Sequence, residues 1–139
     1  MNNFISSDEK YLRTILDAFP SPVLIIDHDL HIVDANQAAL EFVEKRSDIT
    51  NSILCGNLLK CVHALNSDGG CGTTDNCPDC VIRYTVGEIM NGNKTFRRLS
   101  KMKIVQQNIA RQVYLLVSGS LFEYEKQKLA ALTLEYVTI

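Results

Sequence analysis

The stretch Pro22-Val23-Leu24-Ile25-Ile26-Asp27-His28-Asp29-Leu30-His31-Ile32-Val33-Asp34-Ala35-Asn36 decides how the chain is read. Val23 to Ile26 is a short β-rich run bounded by turn residues. Asp27, His28 and Asp29 read as a turn, because Asp side chains bond their own backbone two residues on. His31 to Asp34 is a second strand, so the pair predicts a tight hairpin. Asn36 then stands where a helix N-cap is favoured, with Ala39, Leu40 and Val43 facing inward behind it.

On the N-terminal side, Ser6 and Glu9 have the spacing of a capping box. Tyr11, Leu12, Ile15, Leu16 and Phe19 fall on one helical face, and Pro20 and Pro22 end the helix. We assign residues 1–20 to an N-terminal helix and expect it to be a dimerisation element. Its face is more apolar than an exposed helix tolerates, and a two-fold contact is the commonest way to hide one. The alternative is that the helix folds back over its own sheet.

On the C-terminal side, residues 46–66 are irregular, with Ile53, Leu54, Leu58, Leu59 and Val62 suggesting short helical turns. Residues 66–76 are a loop rich in Gly, Asn and Asp. A longer helix is expected from Cys77-Pro78, since proline suits a first helical position. Its apolar stripe is Val81, Ile82, Val86, Ile89 and Met90, and Asn91-Gly92-Asn93 stops it. Three strands close the chain. The first is Thr95 to Val105, followed by a turn at residues 106–108. The second alternates through Ile109, Val113, Leu115 and Val117. A charged loop near residues 123–126 leads to the third, alternating through Ala130, Leu132, Leu134 and Tyr136.

Sequential strands joined by short turns imply antiparallel pairing, and neither strand group could bury a face alone. The fold class is therefore α+β: a five-stranded sheet with helices on one face and an N-terminal helix. At 139 residues the chain is one domain, with 21–139 forming its body. Hydrophobic residues are 46% and charged residues 22%, a composition that excludes disorder. A net charge of -2 argues against a nucleic-acid partner. No apolar run approaches the ~20 residues needed to span a bilayer, and the first residues lack signal-peptide blocks. A cytoplasmic location is expected. No nucleophile–base pair or phosphate loop is present, so no enzyme is expected of the domain itself.

The hairpin at residues 22–36, the Asn that starts a helix after it, Gly56, the helix ending at Gly92 and the three closing strands together resemble a PAS domain, over roughly residues 10–139. The resemblance implies strand order 2-1-5-4-3, with helices lining a pocket between the sheet and the long helix. It implies a sensory input module that feeds a histidine kinase, a diguanylate cyclase or a transcription regulator, in the same or a partner chain, and that forms a homodimer. Two subfamilies are argued against. A c-type haem needs His directly after CxxC, and Val81 follows Cys80. A flavin-adduct photosensor carries Asn-Cys-Arg near the long helix, whereas Asn76-Cys77-Pro78-Asp79 lacks the flavin-phosphate Arg. Haem-binding relatives often use a His on the long helix, and residues 78–90 hold none.

All five cysteines, Cys55, Cys61, Cys71, Cys77 and Cys80, lie in the middle of the chain. The odd count and a reducing compartment argue against a disulfide framework. The insert at 55–80 looks like a cysteine-rich variant of bacterial PAS sensors. Cys77 and Cys80 are a CxxC expected on a first helical turn, where the helix dipole favours thiolate. Cys71 lies between glycines, and Cys61 ends a helical stretch. Cys61, Cys71, Cys77 and Cys80 meet the stoichiometry of a four-thiolate zinc or iron–sulfur site. We expect these four sulfurs to converge while Cys55 stays apart as a core thiol. A reversible dithiol–disulfide pair and plain structural thiols are the competing readings. The cluster spacing departs from the family's oxygen sensors, which carry two CxxC pairs.

His63 is a further conceivable ligand; His28, His31 and the aspartates beside them read as structural. Arg97-Arg98 with Lys101 and Lys103 is either a solvated basic face or a carboxylate-binding one. Against the sensory module stands a second function class, a stand-alone metal-binding or dithiol redox protein. A third is a dimerisation module with an empty pocket. The chain closes on a strand, Leu134 to Ile139, without a polar tail, which favours the module.

Overall fold

The computed structural model describes residues 8–42 and 80–137. Ser6, Val43, the helical turns expected near residues 53–62, the loop at 66–76, His63 and the cysteines Cys55, Cys61, Cys71 and Cys77 lie outside the described residues. Helix α1 spans Asp8–Ala18, β1 Val23–Ile26, β2 Ile32–Ala35, α2 Gln37–Phe42 and α3 Val81–Met90. Strands β3 (Thr95–Gln106), β4 (Ile109–Tyr124) and β5 (Gln127–Val137) complete the chain.

The five strands form one sheet in the order β2-β1-β5-β4-β3, antiparallel at every joint. The order places the first hairpin beside the last strand: Val23 to Ile26 of β1 pair with Thr133 to Ala130 of β5. Local chemistry builds the first hairpin. One Asp27 carboxylate oxygen accepts the amides of Asp29 and His31, each at 2.9 Å, and Leu30 turns with φ 69°. The two later hairpins turn on two residues each, Gln107-Asn108 (φ 51° and 65°) and Glu125-Lys126 (φ 52° and 67°). Positive φ at both central residues is the turn whose twist matches the flanking strands.

Side chains alternate across the sheet, so one face collects Leu24, Ile26, Leu115, Val117, Ala130, Leu132 and Leu134, all buried. Helix α3 lies on this face with Ile82, Thr85, Val86 and Ile89 buried beneath it. Gly119 permits the close approach. A Cβ there would stand 2.6 Å from a Leu132 methyl, 2.7 Å from the Ala131 carbonyl oxygen and 2.8 Å from the Ile89 Cδ1.

One expectation is corrected, and two apolar strand positions are exposed. Helix α3 begins at Val81, and Cys80 is its extended N-cap (φ -68°, ψ 123°), so Cys80 is not on a first helical turn. Tyr136 is half exposed (49%), because β1 ends opposite Thr133 and leaves that end of β5 a neighbour strand on one side only. Ile109 is exposed because it sits at the tip of the β3–β4 hairpin, opposite Gln106.

Candidate functional site

Two places gather polar chemistry among the described residues: the seam between α3 and β3, and the joint of α1, β2 and α2.

At the seam, Arg98 projects from β3 opposite Val117 on the helix-covered face. Its guanidinium donates to Glu88 Oε1 at 2.6 Å and to the buried Thr85 hydroxyl oxygen at 3.1 Å, and it lies 5.2 Å from the Tyr84 ring centre. The Tyr84 hydroxyl in turn donates to the other Glu88 oxygen. The carboxylate that the basic strand was expected to seek is thus supplied by the chain itself. Arg97 faces the other way and pairs with Glu135, as a solvated face would. It sits in a bulge with φ 52°, its amide donating to Ser118 Oγ at 2.9 Å. Thr95 Oγ1 is buried nearby with no hydrogen-bond partner.

Cys80 heads the same helix. It is half-buried and packs against the hydrophobic core, and its thiol is free and makes no capping hydrogen bond. Its carbonyl opens the helix by accepting the Tyr84 amide at 3.0 Å. Of the four cysteines assigned to a metal site, Cys80 alone is among the described residues; Cys61, Cys71 and Cys77 are not. Among the described residues no three His, Cys, Asp or Glu side chains group to hold a metal ion. His28 is exposed beside Asp29, and His31 pairs with Asp27 at 3.4 Å, which matches their structural reading.

The joint was only partly legible. Asn36 caps α2 as expected, its Oδ1 accepting the Ala39 amide at 3.0 Å. It is also fully buried and reaches in three further directions. The same oxygen accepts the Val23 amide at 2.9 Å, while Nδ2 donates to the carbonyls of Leu16 (2.9 Å) and Ser21 (3.0 Å). One side chain therefore ties the end of α1, the start of β1 and the start of α2. Beside it, Arg13 of α1 donates to the Asp34 carboxylate, to the Ala35 carbonyl oxygen at 3.0 Å and to Asp17 at 3.4 Å. The hydrogen bond to Asp34 raises the Arg13 pKa above its ordinary value; partial burial opposes this, and the charges of Asp34 and Asp17 add to it. Asp17 also accepts the Gln37 amide at 2.9 Å. A cleft of about 340 Å³ opens here, lined in part by Arg13, Asp17, Asp34, Gln37 and Leu40. Beyond the Asn36 cap, the sequence signal that could have found Arg13 is its spacing of four from Asp17 on a helix.

Among the described residues no helix is long and apolar enough to cross a membrane. A search of curated proteins gives no match. Solved structures share the fold at low identity. The PAS domain of nitrogen regulation protein NR(II) from Vibrio parahaemolyticus is 16% identical, with 91% of this chain and 97% of that one covered at a TM-score of 0.63. A domain of a sensory box sensor histidine kinase/response regulator from Geobacter sulfurreducens is 13% identical, covering 96% and 98% at 0.56. The PAS domain of an HTR-like protein from Haloarcula marismortui is 11% identical, covering 95% and 99% at 0.62. The family model described as PAS domain matches residues 10–76, the part of the chain that holds the Asn36 joint. With that match over residues 10–76 and the 2-1-5-4-3 sheet running through to the last strand, the chain has the PAS fold.

Proposed function

We propose that this chain is a sensory input module that regulates an attached output domain, and that it reads its stimulus at Cys61, Cys71, Cys77 and Cys80. The observation that carries the reading is the position of Cys80. It caps the helix that covers the inner face of a PAS sheet, so an event at its sulfur acts on the helix–sheet contact directly. The relatives support the sensory part: NR(II) is a nitrogen regulation protein, and the Geobacter domain belongs to a sensor histidine kinase/response regulator. The candidate outputs remain a histidine kinase, a diguanylate cyclase or a transcription regulator.

The chemistry fits thiolate ligation. The Cys80 sulfur belongs to the N-cap residue of α3, ahead of the helix's first-turn amides. That sulfur has no competing capping bond. Zinc or an iron–sulfur cluster would supply a fixed anchor for the four thiolates, and a disulfide between two of them would supply a redox-dependent one. The test is elemental analysis with a visible spectrum and a thiol count on protein purified without oxygen. Iron with sulfide absorption, or zinc at one equivalent, supports the metal centre. A thiol count that falls by two on mild oxidation supports the dithiol switch. Neither result, with all five thiols freely titratable in both states, overturns the cysteine reading.

The module is proposed to act as a homodimer through α1, where Tyr11, Leu12 and Phe19 are exposed. Solution scattering on the intact chain and on a chain starting at Ser21 decides this: two monomers overturn it.

A further inference from the structure

We infer that α1 and the first turn of α2 open and close as one unit, with Arg13 as the clasp that sets their common equilibrium. The proposal concerns the body of the fold and stands whatever the module senses.

Helix α1 adds no residue to the buried core; Ile15 and Leu16 are half-buried, and Tyr11, Leu12 and Phe19 are exposed. Among the described residues, its attachment to the end of β2 is polar. Arg13 reaches across to Asp34 and to the Ala35 carbonyl, at the end of β2. The Arg13 and Asp34 side chains are part-exposed and border a cleft, and ion pairs at exposed sites are weak and screened by salt. Such an element opens by itself, below the energy of global unfolding.

Two shared caps carry the opening of α1 into α2. The first amides of a helix have no acceptor within it and depend on side chains or water. The Gln37 amide has Asp17, a residue of α1, as its acceptor, and the Ala39 amide has Asn36. Asn36 in turn donates to the Leu16 carbonyl of α1 and the Ser21 carbonyl just beyond it. When α1 leaves, the Gln37 amide loses its acceptor and Asn36 loses a partner. When α2 unwinds, α1 loses the groups that hold its C-terminal end. Arg13 touches no atom of α2 in any bond described above, yet its removal is expected to loosen α2. The coupling is reciprocal, as any free-energy coupling between two sites must be.

Amide hydrogen exchange on the intact chain tests this. In Arg13→Gln, exchange at α1 and at Gln37 and Ala39 is expected to rise together by about five- to tenfold, the factor a lost cap represents. Amides of β4 and β5 stay unchanged. Arg13→Lys keeps the charge without the fork and falls between. Should Arg13→Gln fold poorly, raising NaCl from about 0.05 to about 1 M with the unaltered chain screens the same clasp and is expected to move both segments in the same direction. Acceleration confined to α1, no acceleration in either segment, or an equal rise across β4 and β5 would each overturn the proposal.

Discussion

Helices α1 and α3 span 11 and 10 described residues, and they are held in opposite ways. By sequence α1 is the more sharply amphipathic of the two. Yet α3 buries four side chains against the sheet while α1 is fastened by Arg13, Asp17 and the buried Asn36, with its aromatic residues in solvent. An apolar stripe states that a helix has a face to cover. It does not state what covers it. For α3 the cover is the chain's own sheet; for α1 the described residues supply polar anchors, half-bury Ile15 and Leu16 and leave Leu12 and Phe19 exposed.

The comparison is broken most directly by truncating one apolar residue on each helix. Ile89→Ala is expected to cost about 2–5 kcal/mol in urea unfolding, since Ile89 is fully buried and its cavity cannot collapse onto a rigid sheet. Leu12→Ala, at 56% exposure, is expected to stay within about 0.5 kcal/mol in the monomer. Equal losses would mean that α1 is packed and not clasped. Next in size is Asn36→Ala, which leaves the Val23 and Ala39 amides and the Leu16 and Ser21 carbonyls without their partner. A loss of about 2–3 kcal/mol is expected, and Asn36→Asp, which keeps the acceptor and removes the donors, should lose less at the two amides. A value near zero for Asn36→Ala would show that water replaces the joint at no cost. The smallest effect sharpens the other side. Replacing Glu125-Lys126 by Asn-Gly suits a turn with φ positive at both positions and is expected to raise stability by about 1 kcal/mol. Because this turn belongs to the apolar half, exchange within α1 should not change.

Much of the architecture was legible because periodicity reports burial. The alternation of Val113, Leu115 and Val117, and of Ala130, Leu132 and Leu134, placed both strands and their inner face. Tyr136 and Ile109 keep the alternation and are nonetheless exposed, because the pattern runs past the end of what the neighbouring strand covers. The start of α3 was misplaced because Pro78 satisfies a first helical position by chemistry alone, while the extended backbone of Cys80 is set by its tertiary surroundings. Asn36 was legible as a cap, since capping is local. Its bonds to Leu16, Ser21 and Val23 were not, for these residues lie 13 to 20 positions away and nothing in a one-dimensional pattern aims a side chain across that separation. Four of the five cysteines lie outside the described residues, so the proposal that Cys61, Cys71, Cys77 and Cys80 converge rests on sulfur chemistry.

The missing Cβ at Gly119 has a mechanical consequence. Where Ile89 crosses that strand there is no spare ångström in which the helix could descend, and the contact lies at the C-terminal end of α3. Any rocking of the helix therefore has its fulcrum there. Cys80 lies nine residues away, at the end of a lever about 13 Å long. A tilt of only a few degrees about Ile89 would carry the Cys80 end through about 1 Å, by the same helical rise. This close contact thus acts as a hinge pin, and the largest travel falls to the end that bears the sulfur.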